Sequence, residues 1–234
     1  MAFTIDDILF YQCAFWNEGD SHGGPINTAN KISTSKPLNN IFDDVSDSER
    51  TAGDTEFRKI YVRNENELTW AEVHAWISQF TLSTDDEVSI LLGGTKSKAS
   101  DVVPLTGTVT FAASTAVVGS DTSFLSELAV GEKIYNATDD AEGDAKAIAS
   151  IEDDTHLTLA AVYAGTTGAS KTANVAGIDQ STFVSPDSKT HVDALDIGNL
   201  AQNEYHAIWI KRVVDVASDG YPANQFTLTF ESAS

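Results

Sequence analysis

Short apolar runs bounded by turn residues recur along the chain, and within them the apolar positions repeat every second residue. Phe226, Leu228 and Phe230 alternate with Thr227, Thr229 and Glu231, the clearest such pattern in the sequence. Tyr205 to Val214 reads as a long strand with Ile208, Ile210 and Val214 on one face and Trp209 on the other. Val73, Ala75 and Ile77 alternate with His74, Trp76 and Ser78, and Val88, Ile90 and Leu92 with Ser89 and Leu91. Phe57 to Val62 is aromatic and β-branched, and Asp7 to Tyr11 reads as an opening strand. Trp70, Val73 and Ile77 would also share a helical face. The Ser83-Thr84-Asp85-Asp86 turn that follows suits a hairpin, so residues 70–79 are read as strand. The pattern predicts a mainly β chain, an antiparallel β-sandwich with successive strands joined by turns. Phe226, Leu228 and Phe230 are expected in its core, and Thr227, Thr229 and Glu231 in solvent.

Residues 26–55 are polar, with Leu38, Ile41, Phe42 and Val45 as sparse anchors, and read as a segment laid over a sheet edge. The style of the sequence changes near Pro104. From Gly107 to about Gly177 it is rich in Ala, Thr, Gly and Asp and has no Trp. Val109 and Phe111, Val130 to Tyr135, Ala147 to Ile151 and Leu157 to Leu159 read as short strands, the last two as a hairpin turning at Asp153-Asp154. After Gly177 the aromatic style returns. The reading is an outer β-sandwich domain made of residues 1–103 and 178–234, interrupted by a small β-barrel-like module at 104–177. A closing strand as apolar on one face as 226–230 needs an existing sheet to bury against, and the strands at 57–92 are the partners expected.

Charge narrows the partners. The 234 residues include 35 acidic and 14 basic ones, a formal net charge of −21. Such a surface repels nucleic acid and anionic membranes and has no basic stripe for phosphates. One cysteine, Cys13, leaves no intrachain disulfide, which suits synthesis in a reducing cytoplasm. The first residues lack the basic start and apolar core of a signal peptide, and no apolar run reaches the length of a membrane span.

Candidate chemistry is sparse. His22, His74, His156, His191 and His206 show no zinc-ligand spacing, and His74 and His206 are expected on a solvated face or with one hydrogen bond each. Asp43-Asp44, Asp85-Asp86, Asp139-Asp140 and Asp153-Asp154 are adjacent pairs, which suits turns better than the facing carboxylates of a glycosidase. Aligning Gly143 with the glycine of an EF-hand loop puts Thr138 first and Ala149 last, which excludes that loop. There is no Gly-x-Ser-x-Gly elbow, P-loop or dinucleotide fingerprint. The chain is read as no enzyme, with no metal and no cofactor.

Two stretches carry a resemblance. Leu38-Asn39-Asn40-Ile41-Phe42-Asp43-Asp44-Val45-Ser46 with Gly53 to Asn64, and Leu200 to Arg212 with Tyr221 to Leu228, are similar to virion structural proteins of tailed bacteriophages. Gly107 to Thr110, Gly119 to Phe124, Leu128 to Glu132 and Leu157 to Leu159 resemble a small β module that recurs in phage head and tail proteins. The resemblance implies a virion component made in the host cytoplasm, with the major capsid protein or other virion proteins as partners. A head decoration or cement protein is the leading reading. A neck, tail or baseplate protein is the alternative, and a carbohydrate-binding or host-receptor-binding sandwich is the alternative of another class.

A homo-oligomer or lattice contact through the outer domain is also expected. Trp76 and Trp209 each sit opposite a core-facing set, so their rings should meet either a neighbour or a covering loop such as 26–55. Arg58 and Arg63, close to Arg50, and Arg212 on a neighbouring strand could pair with carboxylates of an adjacent subunit or within the chain. Trp76, Trp209, Arg58, Arg63 and Arg212 are therefore the candidate interface residues.

Overall fold

The computed structural model describes residues 5–18, 21–34, 40–80, 86–96, 98–99, 102–178, 181–188, 190, 192–216 and 226–232. Among them the fold is mainly β, an antiparallel arrangement of sixteen strands with two short α-helices and two single-turn 3-10 helices. In chain order these are β1 (Ile8–Phe15), β2 (Gly23–Lys31), α1 (Asp47–Ala52), β3 (Asp54–Asn64), β4 (Trp70–Phe80) and β5 (Asp86–Gly93). Then come β6 (Val103–Pro104), β7 (Thr108–Phe111), β8 (Ala116–Ser120), α2 (Phe124–Glu127), β9 (Lys133–Asn136), β10 (Lys146–Ile151), β11 (His156–Leu159), β12 (Gly168–Lys171) and β13 (Ala173–Val175). The last are β14 (Leu195–Leu200), β15 (Tyr205–Val214) and β16 (Phe226–Ser232). The chain divides into two compact units. The first is Met1–Glu18, Ile26–Leu91 and Phe183–Ser234, and the second is Gly19–Pro25 and Leu92–Thr182. The second unit is thus wider than residues 104–177 and takes in a short N-terminal segment as well.

The first unit is a sandwich of a five-stranded sheet, order β2-β1-β3-β15-β5, and a three-stranded sheet, order β14-β4-β16. Ile60 and Val62 of β3, Ile208 and Ile210 of β15, and Val73, Ala75 and Ile77 of β4 are all buried. The sheets meet through aromatic pairs. Phe10 lies 5.0 Å from Phe230, and Phe42 lies 6.2 Å from Phe226, ring centre to ring centre. At one corner the backbone of Val184 pairs with Ile90 of β5 while Pro186 O accepts from Ile77 N–H of β4, so one short segment joins the two sheets. Asn64 and Asn66 shape the β3–β4 turn. Asn64 Oδ1 accepts from Asn66 N–H and Asn66 Oδ1 from Leu68 N–H, each at 2.9 Å.

Two sequence expectations change here. β16 pairs with β4, inside the 57–92 range expected for its partner, but as an edge strand its Phe226, Leu228 and Phe230 are only partly buried. Residues 26–31 belong to β2 and 47–52 to α1, where the sequence reads as one polar covering segment. Helix α1 is opened by a capping box. The Ser46 side chain accepts from Glu49 N–H at 3.3 Å, and the Glu49 carboxylate accepts from Ser46 N–H. Leu38, Asp85 and His191 lie outside the described residues.

The second unit holds an eight-stranded sheet, order β12-β7-β8-β11-β10-β9-β13-β6. No pairing among the described residues joins β12 to β6 to close it as a barrel. Its core includes Phe111, Phe124, Ile134, Ile148, Leu157 and Tyr163, with the Phe111 and Tyr163 rings 4.5 Å apart. The turn at Gly107 has φ +76°, and a Cβ there would fall 2.4 Å from Ser120 O, so the position needs glycine twice over.

Candidate functional site

Side chains alternate along a strand, so Glu56 and Arg58 share one side of β3. The register with β15 sets Arg212 opposite Glu56 and Ile210 opposite Arg58. All three charged residues are buried. Glu56 Oε1 accepts from Arg58 Nη2 at 3.1 Å, and Glu56 Oε2 accepts from Arg212 Nη2. Burial pushes the Glu56 carboxyl above its ordinary range, and the Arg212 and Arg58 guanidiniums pull it back. The arginines also reach the segment before α1. Arg58 Nε donates to Ile41 O at 3.2 Å and Arg212 Nη1 to Asp43 O at 2.8 Å. Between these two carbonyls the Phe42 ring lies 5.2 Å from the Arg58 guanidinium carbon and 4.8 Å from that of Arg212. The cluster is a clasp. It holds residues 41–43 against β3 and β15 through charge, ring and backbone together.

Two carboxylate groups here have metal-like spacing. Oxygens of Glu18, Asp43 and Glu56 lie within 4.8 Å of one another, and so do those of Glu49, Asp54 and Glu56. Both groups depend on Glu56, whose two oxygens already accept from guanidiniums. A cation placed there would stand beside two fixed positive charges in a buried setting. The donor set therefore suits arginine better than a metal.

The opposite end of β3 carries a second polar group. The Tyr11 hydroxyl donates to Glu65 Oε1 at 2.6 Å, and burial together with this bond pushes its pKa up to about 12. Lys31 Nζ lies 5.8 Å from the centre of the Tyr11 ring, and the Arg63 guanidinium 6.0 Å. Arg63 Nη2 donates to Asn203 Oδ1 at 2.8 Å. Tyr205 beside it is exposed.

Of the five candidate interface residues, the structure thus brings Arg58 and Arg212 together inside the clasp. Arg63 stands at the sheet rim, its side chain 21% exposed. Trp209 is fully buried, its ring centre 5.4 Å from Lys59 Nζ, and Trp76 is 7% exposed. β15 is an inner strand of the sheet, and buried side chains on both of its faces show that both are covered, the face of Trp209 included. Both rings are buried within the single chain. The sequence reading passed over Glu56 and Lys59, the latter 0% exposed. A Glu-x-Arg pair inside an otherwise apolar strand is the signal that points to them. His74 Nδ1 contacts Glu72 O at 3.0 Å and His206 Nδ1 contacts Ala207 O at 2.9 Å, one backbone partner each as expected. Burial holds the His206 imidazole below its ordinary pKa.

In the second unit the acidic loop is committed to the fold. Asp140 accepts from the Tyr163 hydroxyl at 2.6 Å and from Thr166 N–H. Asp139 pairs with Lys171 at 2.6 Å, and Glu142 accepts from Gly177 N–H at 3.1 Å. Hydrogen bonds from Tyr163 and Thr166 hold the Asp140 carboxyl below its ordinary pKa. Glu132 is buried and accepts from the N–H groups of Gly94 and Ala129, each at 2.9 Å, and so staples two loops.

Among the described residues no helix is long and apolar enough to cross a membrane. In comparisons with protein-family models, curated proteins and solved structures, no match to this chain was found.

Proposed function

We propose that this chain is a non-enzymatic structural component of a tailed-phage virion, with a head decoration or cement protein as the leading assignment. One observation carries the reading. The two stretches that resemble virion structural proteins are far apart in sequence, yet within them β3 and β15 pair residue for residue from Tyr205 opposite Arg63 to Arg212 opposite Glu56. The clasp of Glu56, Arg58, Phe42 and Arg212 joins the same two stretches. The resemblance therefore falls on one folded unit and not on scattered strands. The partners are the major capsid protein or other virion proteins, and the protein is made in the host cytoplasm. An acidic chain, −21 in formal charge, is kept off packaged DNA, and many weak contacts across a shell add through multivalency. The test is co-sedimentation of the purified protein with expanded capsids, followed by copy number per particle. Many copies spread over the shell support decoration. A single ring's worth moves the assignment to neck, tail or baseplate, and binding to isolated host polysaccharide without shell binding moves it to receptor recognition.

A further inference from the structure

β2 is the edge strand of the five-stranded sheet, with β1 as its inner neighbour. Ile32 N–H donates to Phe10 O at 2.8 Å, so even-numbered residues at this end of the strand turn their backbone groups toward β1. Asn27, Ala29 and Lys31 therefore turn theirs outward. The Ala29 N–H agrees with this parity, since it is met by Oδ1 of Asn27 in its own strand, at 3.2 Å. The outer edge is used at its start, where Gly23 bridges Lys98. From Ile26 to Lys31 no strand among the described residues pairs with it, and Thr28 to Lys31 are exposed. Such an edge is a template for another strand.

We propose that two copies of this chain associate by pairing their β2 strands antiparallel, about a two-fold axis at Ala29. Charge favours a second copy at this place. Copies of a −21 chain repel each other, and β2 has no acidic residue and one lysine. The outward residues then select the register. An axis at Asn27 would set Pro25, which has no N–H, opposite Ala29. An axis at Lys31 would set two ammonium groups side by side. An axis at Ala29 puts the smallest outward side chain on the two-fold and sets Asn27 opposite Lys31 of the other copy. Every outward residue then both donates and accepts, in a ladder of about six backbone hydrogen bonds. The contact is isologous and closes as a dimer. It concerns self-association alone and stands or falls apart from the virion assignment.

Sedimentation velocity of the full chain from about 1 to 100 μM is the test, run at low salt and at about 0.5 M salt. The expected result is a concentration-dependent dimer that tightens with salt, because screening removes repulsion between the acidic copies. Ala29→Pro deletes the outward N–H and leaves the pairing with β1 intact. It should raise the dimer Kd at least about tenfold with the urea midpoint unchanged. Ala29→Asp puts two carboxylates on the axis, so it should give monomer at low salt and partial recovery at high salt, whatever proline does to the strand. A chain that stays monomeric over the whole range, or a dimer that survives both substitutions, overturns the proposal.

Discussion

Removing the Glu56 carboxylate should unfold the first unit far more easily than its single side chain suggests. In Glu56→Ala the Arg58 and Arg212 guanidiniums lose the carboxylate that each contacts, while their side chains stay 5% and 9% exposed. Breaking a buried ion pair by deleting one partner costs about 3–5 kcal/mol, and the longer contacts of Arg58 with Glu18 at 3.5 Å and of Arg212 with Asp43 at 3.8 Å, both to exposed carboxylates, place the loss toward the lower end. The carbonyls of Ile41 and Asp43 continue to hold the arginines in place, so the cations cannot simply swing into water. With a urea slope of about 2–3 kcal/mol/M, the midpoint should fall by about 1–2 M. The assay is direct. Trp16, Trp70, Trp76 and Trp209 all belong to the first unit, so tryptophan fluorescence reads its unfolding alone. A control separates lost pairing from lost packing. Glu56→Leu with Arg58→Met and Arg212→Met removes all three charges together and should recover most of the loss, as apolar replacements of buried ion clusters do. A Glu56→Ala unfolding free energy within about 1 kcal/mol of the parent, or a triple variant no more stable than the single, would refute the clasp.

Phe111→Ala, which empties the core beside Tyr163, should cost the second unit about 3–5 kcal/mol. Amide exchange in residues 108–159 should report the loss while the tryptophan transition stays in place. Trp209→Phe should remove the bluest and least quenchable part of the emission, since Trp209 is fully buried, and an unchanged spectrum would count against that placement. The Tyr11 hydroxyl has its folded pKa raised from 10.0 to about 12. Its contribution is therefore whole below pH 10 and is lost as pH rises through about 12. Urea midpoints on either side of that window should fall less for Tyr11→Phe than for the parent, and parallel curves would dismiss the Tyr11–Glu65 bond as a source of alkaline sensitivity.

Much of the β framework is legible in the sequence because period-2 alternation is a local property of a strand. The runs at 57–62, 73–77, 88–92, 108–111, 147–151, 157–159 and 205–214 all form strands where the pattern puts them. β2 gave no such signal, since Gly-Gly-Pro-Ile-Asn-Thr-Ala-Asn-Lys has almost no apolar side chains and is held by backbone pairing. The Glu56-x-Arg58 spacing was visible, but its meaning was not. Only the register of β3 with β15 brings Arg212 onto Glu56 from 156 residues away. Alternation also tells which side chains share a face, but not whether the second face is covered. Trp209 reads as outward by period and is buried because both faces of β15 are covered. Phe226, Leu228 and Phe230 read as core and are only partly buried, on an edge strand that has β4 on one side only. Most strands, the acidic character and the change of style that marks the second unit follow from side-chain type and near neighbours, and so can be read along the chain. Strand order, edge or centre, and which charges are buried together were decided by tertiary structure, because each depends on contacts between residues that sequence distance does not relate.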